Sequence, residues 1–248
     1  MRMMKKVLGM VTVLALSVSL LAGCGSTAAE STTSSVVSEA TSAAADENAA
    51  AATQLLNDLT GSYQELWPVI LADEYKQTWL DDCTALVGED NAEAAFEKLS
   101  SMVTGDVYGE DAVKAYANGG GAYFCGFTND LATLTFDGEA STISGTDKDG
   151  NELFSHPYHY IGMEPVRGLY EFESDDADSG EFTYFFLAPD TSAETYHIEF
   201  RYGSDADALS QYDAGDYAYW LASGISTDCD QTMIDNCIEL FCTENLAG

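Results

Sequence analysis

The chain of 248 residues carries 42 acidic against nine basic side chains, a formal charge of −33. A field of that sign repels polyanions, which excludes nucleic acid as a partner and direct docking on anionic lipid, and it concentrates cations near the surface. Every aromatic residue lies after residue 52, so the material for a core is confined to the rest of the chain, a length that suits one domain or at most two.

The first 23 residues read as a secretory signal. A basic start (Arg2, Lys5, Lys6) precedes an apolar run from Val7 to Leu21 that ends in "LAGC". The run is short for a membrane span and is interrupted by Gly9 and Ser17. Small residues before Cys24 match a bacterial lipobox, in which cleavage leaves an acylated N-terminal cysteine. The expectation is a protein lipid-anchored to a bacterial membrane, on its extracytoplasmic side. Residues 24–52 hold Ala, Ser and Thr with scattered acids, the composition of a disordered tether. The domain is expected over residues 53–248.

Residues 53–118 carry helical spacing. Leu55, Leu56, Leu59, then Leu66, Val69 and Ile70 suit short helices broken at Thr60-Gly61 and bent at Pro68. "EDNAEAAFEKLSSMVTG" follows with Asp90 as N-cap, Phe96, Leu99, Met102 and Val103 on one face and Gly105 as stop. After Gly121 the period shifts to two. "LATLTFDG", "STISGTDKDGNELF", "HPYHYIG", "GLYEFES", "EFTYFFLAP" and "TYHIEFRYG" are β-branched and aromatic runs, divided by Asp-Gly turns at 137–138 and 149–150 and by "DDADSG" at 175–180. Short links make an antiparallel meander, which curls into a barrel or sandwich. A last helix is expected over about 228–245 with Met233, Cys237, Leu240 and Phe241 as its stripe. The fold class is α+β, mainly β: an antiparallel barrel with N-terminal helices and a C-terminal helix.

Chemistry is sparse. No G-x-S-x-G elbow and no CxxC occurs, and "TDKDGNE" reads as a hairpin turn, not a calcium loop. An enzyme is not expected. Besides Cys24 there are five cysteines, an odd number, and those of the last helix are expected to pair with Cys83 or Cys125 if they pair at all. Of the three histidines, His156 and His159 flank Pro157, where a kink would bring both rings to one side, whereas ideal alternation sends them to opposite faces. His197 shares the polar side of "ETYHIEF" with Thr195 and Glu199, opposite Tyr196, Ile198 and Phe200.

The order of these segments resembles the ZinT/AdcA C-terminal family of periplasmic or surface zinc-binding proteins, over most of residues 55–245. "LTGSYQELWPVILADEY" is similar to the family's opening, and "TLTFDGEASTISG", "HPYHYIG" and "RGLYEFESDD" follow in its order. Residues 181–203 correspond to a stretch in which relatives carry histidines before a proline and in "HFHIF". There His197 falls on the last family histidine, while Thr195 and Phe185 stand where the other two would be. The resemblance implies a lipocalin-like (calycin) barrel that binds zinc, or another divalent transition metal, with a metal ABC importer as the partner that receives it. Because two family ligands are replaced, a metal site requires His156 or His159 to meet His197 at the barrel mouth, with Glu199 or Glu194 adding an oxygen. The competing reading is a barrel that has lost its metal and uses that mouth for a small organic ligand or a protein partner.

Overall fold

Residues 47–247 are described by the computed structural model; the expected signal, the expected lipidation at Cys24 and the expected tether up to residue 46 lie outside the described residues. Helix α1 runs through residues 47–58, and Ala52 on it is fully buried with Leu55, Leu56 and Leu59. The boundary expected at residue 53 therefore falls inside a helix, because an alanine-rich segment with one apolar face packs when a core is offered to it.

Strands β1 (Gly61–Glu65), β2 (Thr133–Asp137), β3 (Thr142–Thr146), β4 (Glu152–Met163), β5 (Tyr170–Ser174), β6 (Tyr184–Leu187), β7 (Ile198–Gly203) and β8 (Ala222–Ser226) form a closed barrel in chain order. Each pairs antiparallel with the next, and β8 closes on β1 through Tyr63↔Ser226, Gln64↔Ile225 and Glu65↔Gly224. This closed, helix-flanked barrel is the lipocalin-like (calycin) architecture expected. Two strands correct the reading of the sequence. Residues 61–65 form a strand between helices, and "ASGIS" closes the sheet although its small residues carry no strand signal.

Pairing partners show which side chains point inward. Phe172, Phe185 and Tyr202 face one another across β5, β6 and β7, and Leu187 faces Phe200; all five are at most 1% exposed. Each buried ring or leucine contributes about 1.5–3 kcal/mol. Phe136, Ile143 and Phe154 continue the filling on β2, β3 and β4. The barrel is thus a packed core. Strand β4 pairs with β3 through residues 152–157 and with β5 through 158–163, so Pro157 sits at the hand-over, where its missing N–H removes little from either ladder.

A second core lies outside the barrel. Helices α2 (Leu66–Ile70), α3 (Lys76–Val87) and α4 (Glu89–Val103), with a 3-10 turn over Asp73–Tyr75, precede α5 (Gly109–Ala117). The four-residue helices α6 (Ser192–Thr195) and α7 (Ala206–Leu209) flank β7, and α8 (Gln231–Leu246) ends the fold, its start capped by Asp230 Oδ1, which accepts from Met233 N–H at 2.9 Å. Trp67, Ile70, Trp79, Leu99, Ile234 and Ile238 from these helices enclose Ile225, which points outward from β8. Trp67 and Trp79 both meet the Phe241 ring edge-on, at 4.8 and 5.9 Å. Among the described residues no helix is long and apolar enough to cross a membrane.

Candidate functional site

The segment that presents His197 is fixed locally. Thr191 N–H and hydroxyl both reach the Glu194 carboxylate at 3.3 Å, forming a capping box that starts α6, and Tyr196 ends the helix in the left-handed region at φ 66°. Glu194 is used by this cap and is not turned toward His197. After the reversal β7 begins, with Ile198 and Phe200 in the barrel core and His197, Glu199 and Arg201 of the opposite parity. The site is therefore on the outer wall of the barrel and not in its mouth, because the mouth-facing positions of β7 are taken by apolar side chains.

His197 Nδ1 lies 2.7 Å from the Thr195 carbonyl oxygen. A carbonyl only accepts, so the proton sits on Nδ1 and the neutral ring offers the Nε2 lone pair. Nε2 is 4.0 Å from Glu199 Oε1. Both line a recess of ≈ 80 Å³ whose other walls come from α2 (Leu66, Trp67, Ile70) and α8 (Cys237, Leu240, Phe241, Glu244). On α8, Cys237, Phe241 and Glu244 are spaced four and three residues apart and so share a helix face. Cys237 Sγ is 3.8 Å from His197 Nδ1. Burial pushes that thiol up to about 12, with Glu244 and Cys229 adding, so it is neutral at ordinary pH.

Burial also raises the Glu199 carboxyl above the usual glutamate range. The Arg167 guanidinium pulls it back down, as does the His197 ring whenever both its nitrogens carry protons, while Asp190 and Glu244 push it further up. A carboxylate so placed gains from any added positive charge. Glu199 also borders a second recess with Arg167, Pro189 and Asp190, so it stands between the two.

The other two histidines do not join this site. His156 is on the inward parity of β4, stacked 6.0 Å from Phe154, and its Nδ1 meets Asp176 Oδ2 at 2.9 Å. His159 is half-exposed on the opposite face, with Nδ1 2.7 Å from Asp175 Oδ1 and Nε2 3.9 Å from Glu173 Oε2. Pro157 does not turn the rings to one side; regular alternation persists through it. The register also separates them from His197. His159 pairs with Glu173, Glu173 with Tyr184 and Tyr184 with Gly203, which is six residues along β7 from His197, or about 20 Å of strand. The expected meeting of His156 or His159 with His197 is therefore corrected: the set His197, His156, His159, Glu199 divides into two ends of the barrel. Among the described residues no three His, Cys, Asp or Glu groups are already gathered around one metal position.

Cys237 and Glu244 are the residues that sequence reasoning missed. Their signal was present only as a shared helix face; that α8 docks against the outer side of β7 is a long-range fact.

A polar knot lies near the same end. Arg201 is fully buried and donates to the carbonyls of Leu209, Gln211 and Tyr217. Arg201 and Arg167 both stack on Tyr212, at 4.3 and 4.4 Å from its ring centre. Buried Glu164 accepts from the N–H groups of Val166 and Arg167 at 2.7 and 2.6 Å.

No family model matches the chain, and no curated protein matches it in sequence. Among solved structures it is similar to the Zn(II)-bound ZinT-like domain of Streptococcus pneumoniae AdcA, at 15% identity and a TM-score of 0.47, over 75% of this chain and 89% of that one. It is also similar to Zn(II)-bound AdcA from the same organism, at 14% identity and a TM-score of 0.44, over 78% of this chain and 35% of that one. The chain thus spans about a third of the length of the whole AdcA structure.

Proposed function

We propose that this chain is an extracytoplasmic protein, lipid-anchored through Cys24, that captures a divalent transition metal ion, zinc first, at His197 and Glu199 on the outer wall of the barrel. The observation that carries the reading is the hydrogen bond from His197 Nδ1 to the Thr195 carbonyl. Metal-bound histidines commonly donate their second ring N–H to a carbonyl, which fixes the tautomer and aims the lone pair. Here the lone pair faces a carboxylate across 4.0 Å. Two ligands at zinc distances of about 2.0–2.2 Å stand roughly 3.3 Å apart in tetrahedral geometry, so the pair must close by about 0.7 Å. Glu244 on α8 is the third protein group in reach of the recess by a side-chain rotation, and water completes the shell.

The acidic surface supports capture by raising the local cation concentration, and the signal and lipobox support a location where such ions arrive from outside. Delivery to a metal ABC importer is the role that fits an anchored carrier. Titration of zinc into the protein, followed by calorimetry, tests the reading. Binding should weaken at least about tenfold in both His197→Ala and Glu199→Gln; unchanged affinity in both variants would overturn it.

One observation favours the alternative of an organic ligand, at a different place from the mouth. A cavity of ≈ 340 Å³ outside the barrel is lined by Trp67, Pro68, Leu71, Val103 and Phe124, with Glu65 and Asp106 at its polar side. If zinc fails to bind, small apolar cations are the ligands to screen there.

A further inference from the structure

We propose that Cys83 and Cys242 form a disulfide that locks α3 to α8. Their sulfurs are 3.9 Å apart, both side chains are fully buried, and 159 residues separate them in the chain. This is the one close sulfur–sulfur contact among the described residues, all of whose cysteines are thiols in this structure. Cys125 shares the surrounding core without a sulfur contact to either, and Cys237 faces His197. Trp79, one turn before Cys83, meets Phe241, the neighbour of Cys242, edge-on at 5.9 Å, so the same packing that joins the helices turns the two thiols toward each other. A disulfide of about 2.05 Å needs the sulfurs to approach by just under ~2 Å, within reach of side-chain rotation and a slight closing of the helices.

The chemistry is thiol–disulfide exchange with a disulfide donor, RSSR, of the kind an oxidising compartment supplies. One cysteine, as thiolate, attacks RSSR and forms a mixed disulfide, releasing RS⁻. The second thiolate then attacks the protein-bound sulfur, the protein disulfide forms, and a second RS⁻ leaves. The two thiol protons end on two RSH, and RSSR takes up the two electrons. Burial raises both thiols above the ordinary cysteine range, and Asp82 beside them adds to it, so thiolate is scarce once the layer has packed. The bond therefore forms before α8 docks and resists reduction afterwards. The loop it closes contains seven of the eight strands, so it restricts the unfolded chain strongly. The supply of oxidant rests on the extracytoplasmic reading; the placement of the two sulfurs does not.

The test is disulfide mapping of the whole chain exported from a bacterium. Free thiols are alkylated in denaturant without reduction, and linked peptides are identified by mass spectrometry. The expected result is one linked pair, Cys83 with Cys242, with Cys125, Cys229 and Cys237 alkylated. A phosphine reductant should lower Tm by on the order of 10 °C in the unchanged protein and not in Cys242→Ala. The same mapping is repeated after the reduced, unfolded chain refolds in a glutathione redox buffer. Linkage there but not after export upholds the pairing and removes the export premise. Alkylation of both Cys83 and Cys242 in both preparations, or linkage of either to another cysteine, overturns the proposal. Should Cys242→Ala fail to fold, the mapping alone decides.

Discussion

His197 is tied to Thr195, its neighbour two positions back, by a 2.7 Å hydrogen bond from Nδ1 to the carbonyl oxygen, and this bond determines which nitrogen faces outward. The three histidines should accordingly behave unequally. Zinc affinity is expected to fall at least about tenfold in His197→Ala and to change less than about twofold in His156→Ala and His159→Ala, whose partners are Asp176 and Asp175. A fall in the His156 or His159 variant equal to that in His197→Ala would show that the two ends of the barrel act together, contrary to the register.

The pH dependence of stability follows from three carboxyls, Asp82, Glu171 and Glu199, each raised first of all by burial. For a raised acid the native chain binds more protons than the unfolded chain between the ordinary carboxylate range and the raised value. Stability then declines as pH rises through that window. Asp147, lowered by its bonds to Asn151, acts oppositely, but its contribution disappears only below the ordinary aspartate range. Thermal melts at constant ionic strength should give a higher Tm near about pH 5 than near about pH 7. Saturating zinc should flatten the slope, because a bound cation holds Glu199 charged. A Tm that climbs steadily from acid to neutral pH would contradict the assignment.

Arg201, itself fully buried, donates to three carbonyls at once, those of buried Leu209 and of Gln211 and Tyr217 nearer the surface. Arg201→Met keeps most of the volume and removes every donor, so it should cost about 3 kcal/mol, read as a lower urea midpoint. Arg201→Lys should recover only part of this, since an ammonium lacks the planar fork. A midpoint within error of the unchanged protein in Arg201→Met would show those carbonyls to be solvated by other means.

Gly138 carries the contact between the β2–β3 turn and α1. A methyl group there would stand 2.4 Å from Asn57 Cα and 2.6 Å from Asn57 N, both backbone atoms that cannot rotate away. Gly138→Ala should destabilise by about 1–3 kcal/mol and loosen α1, measurable as faster amide exchange over residues 50–59. Exchange unchanged in that helix would mean that the turn yields instead.

Much of the sheet was legible because its middle strands alternate. Phe172, Phe185, Phe200 and Tyr202 occupy inward positions of β5, β6 and β7 as a period of two requires. The first and last strands were not. In β1 Tyr63 is the one buried residue between apolar helical runs, and β8 is made of small residues because Gly224 lies against Ile198, whose Cγ1 would be 3.1 Å from an added Cβ. For the site, alternation alone put His197 and Glu199 on one face. It could not show that this face looks outward onto α8, since the docking of Cys237 and Glu244 depends on residues about 40 positions away.

The pairing of β1 with β8 joins residue 63 to residue 226, so the ladder has two open flanks until its last strand is laid down. No folding intermediate that lacks β8 can complete the cylinder, so closure waits until residues 222–226 are in place. Such distant pairing is slow, and during that delay the unpaired flanks are open to other chains; the dense negative charge keeps copies apart and so protects the barrel while it is still open.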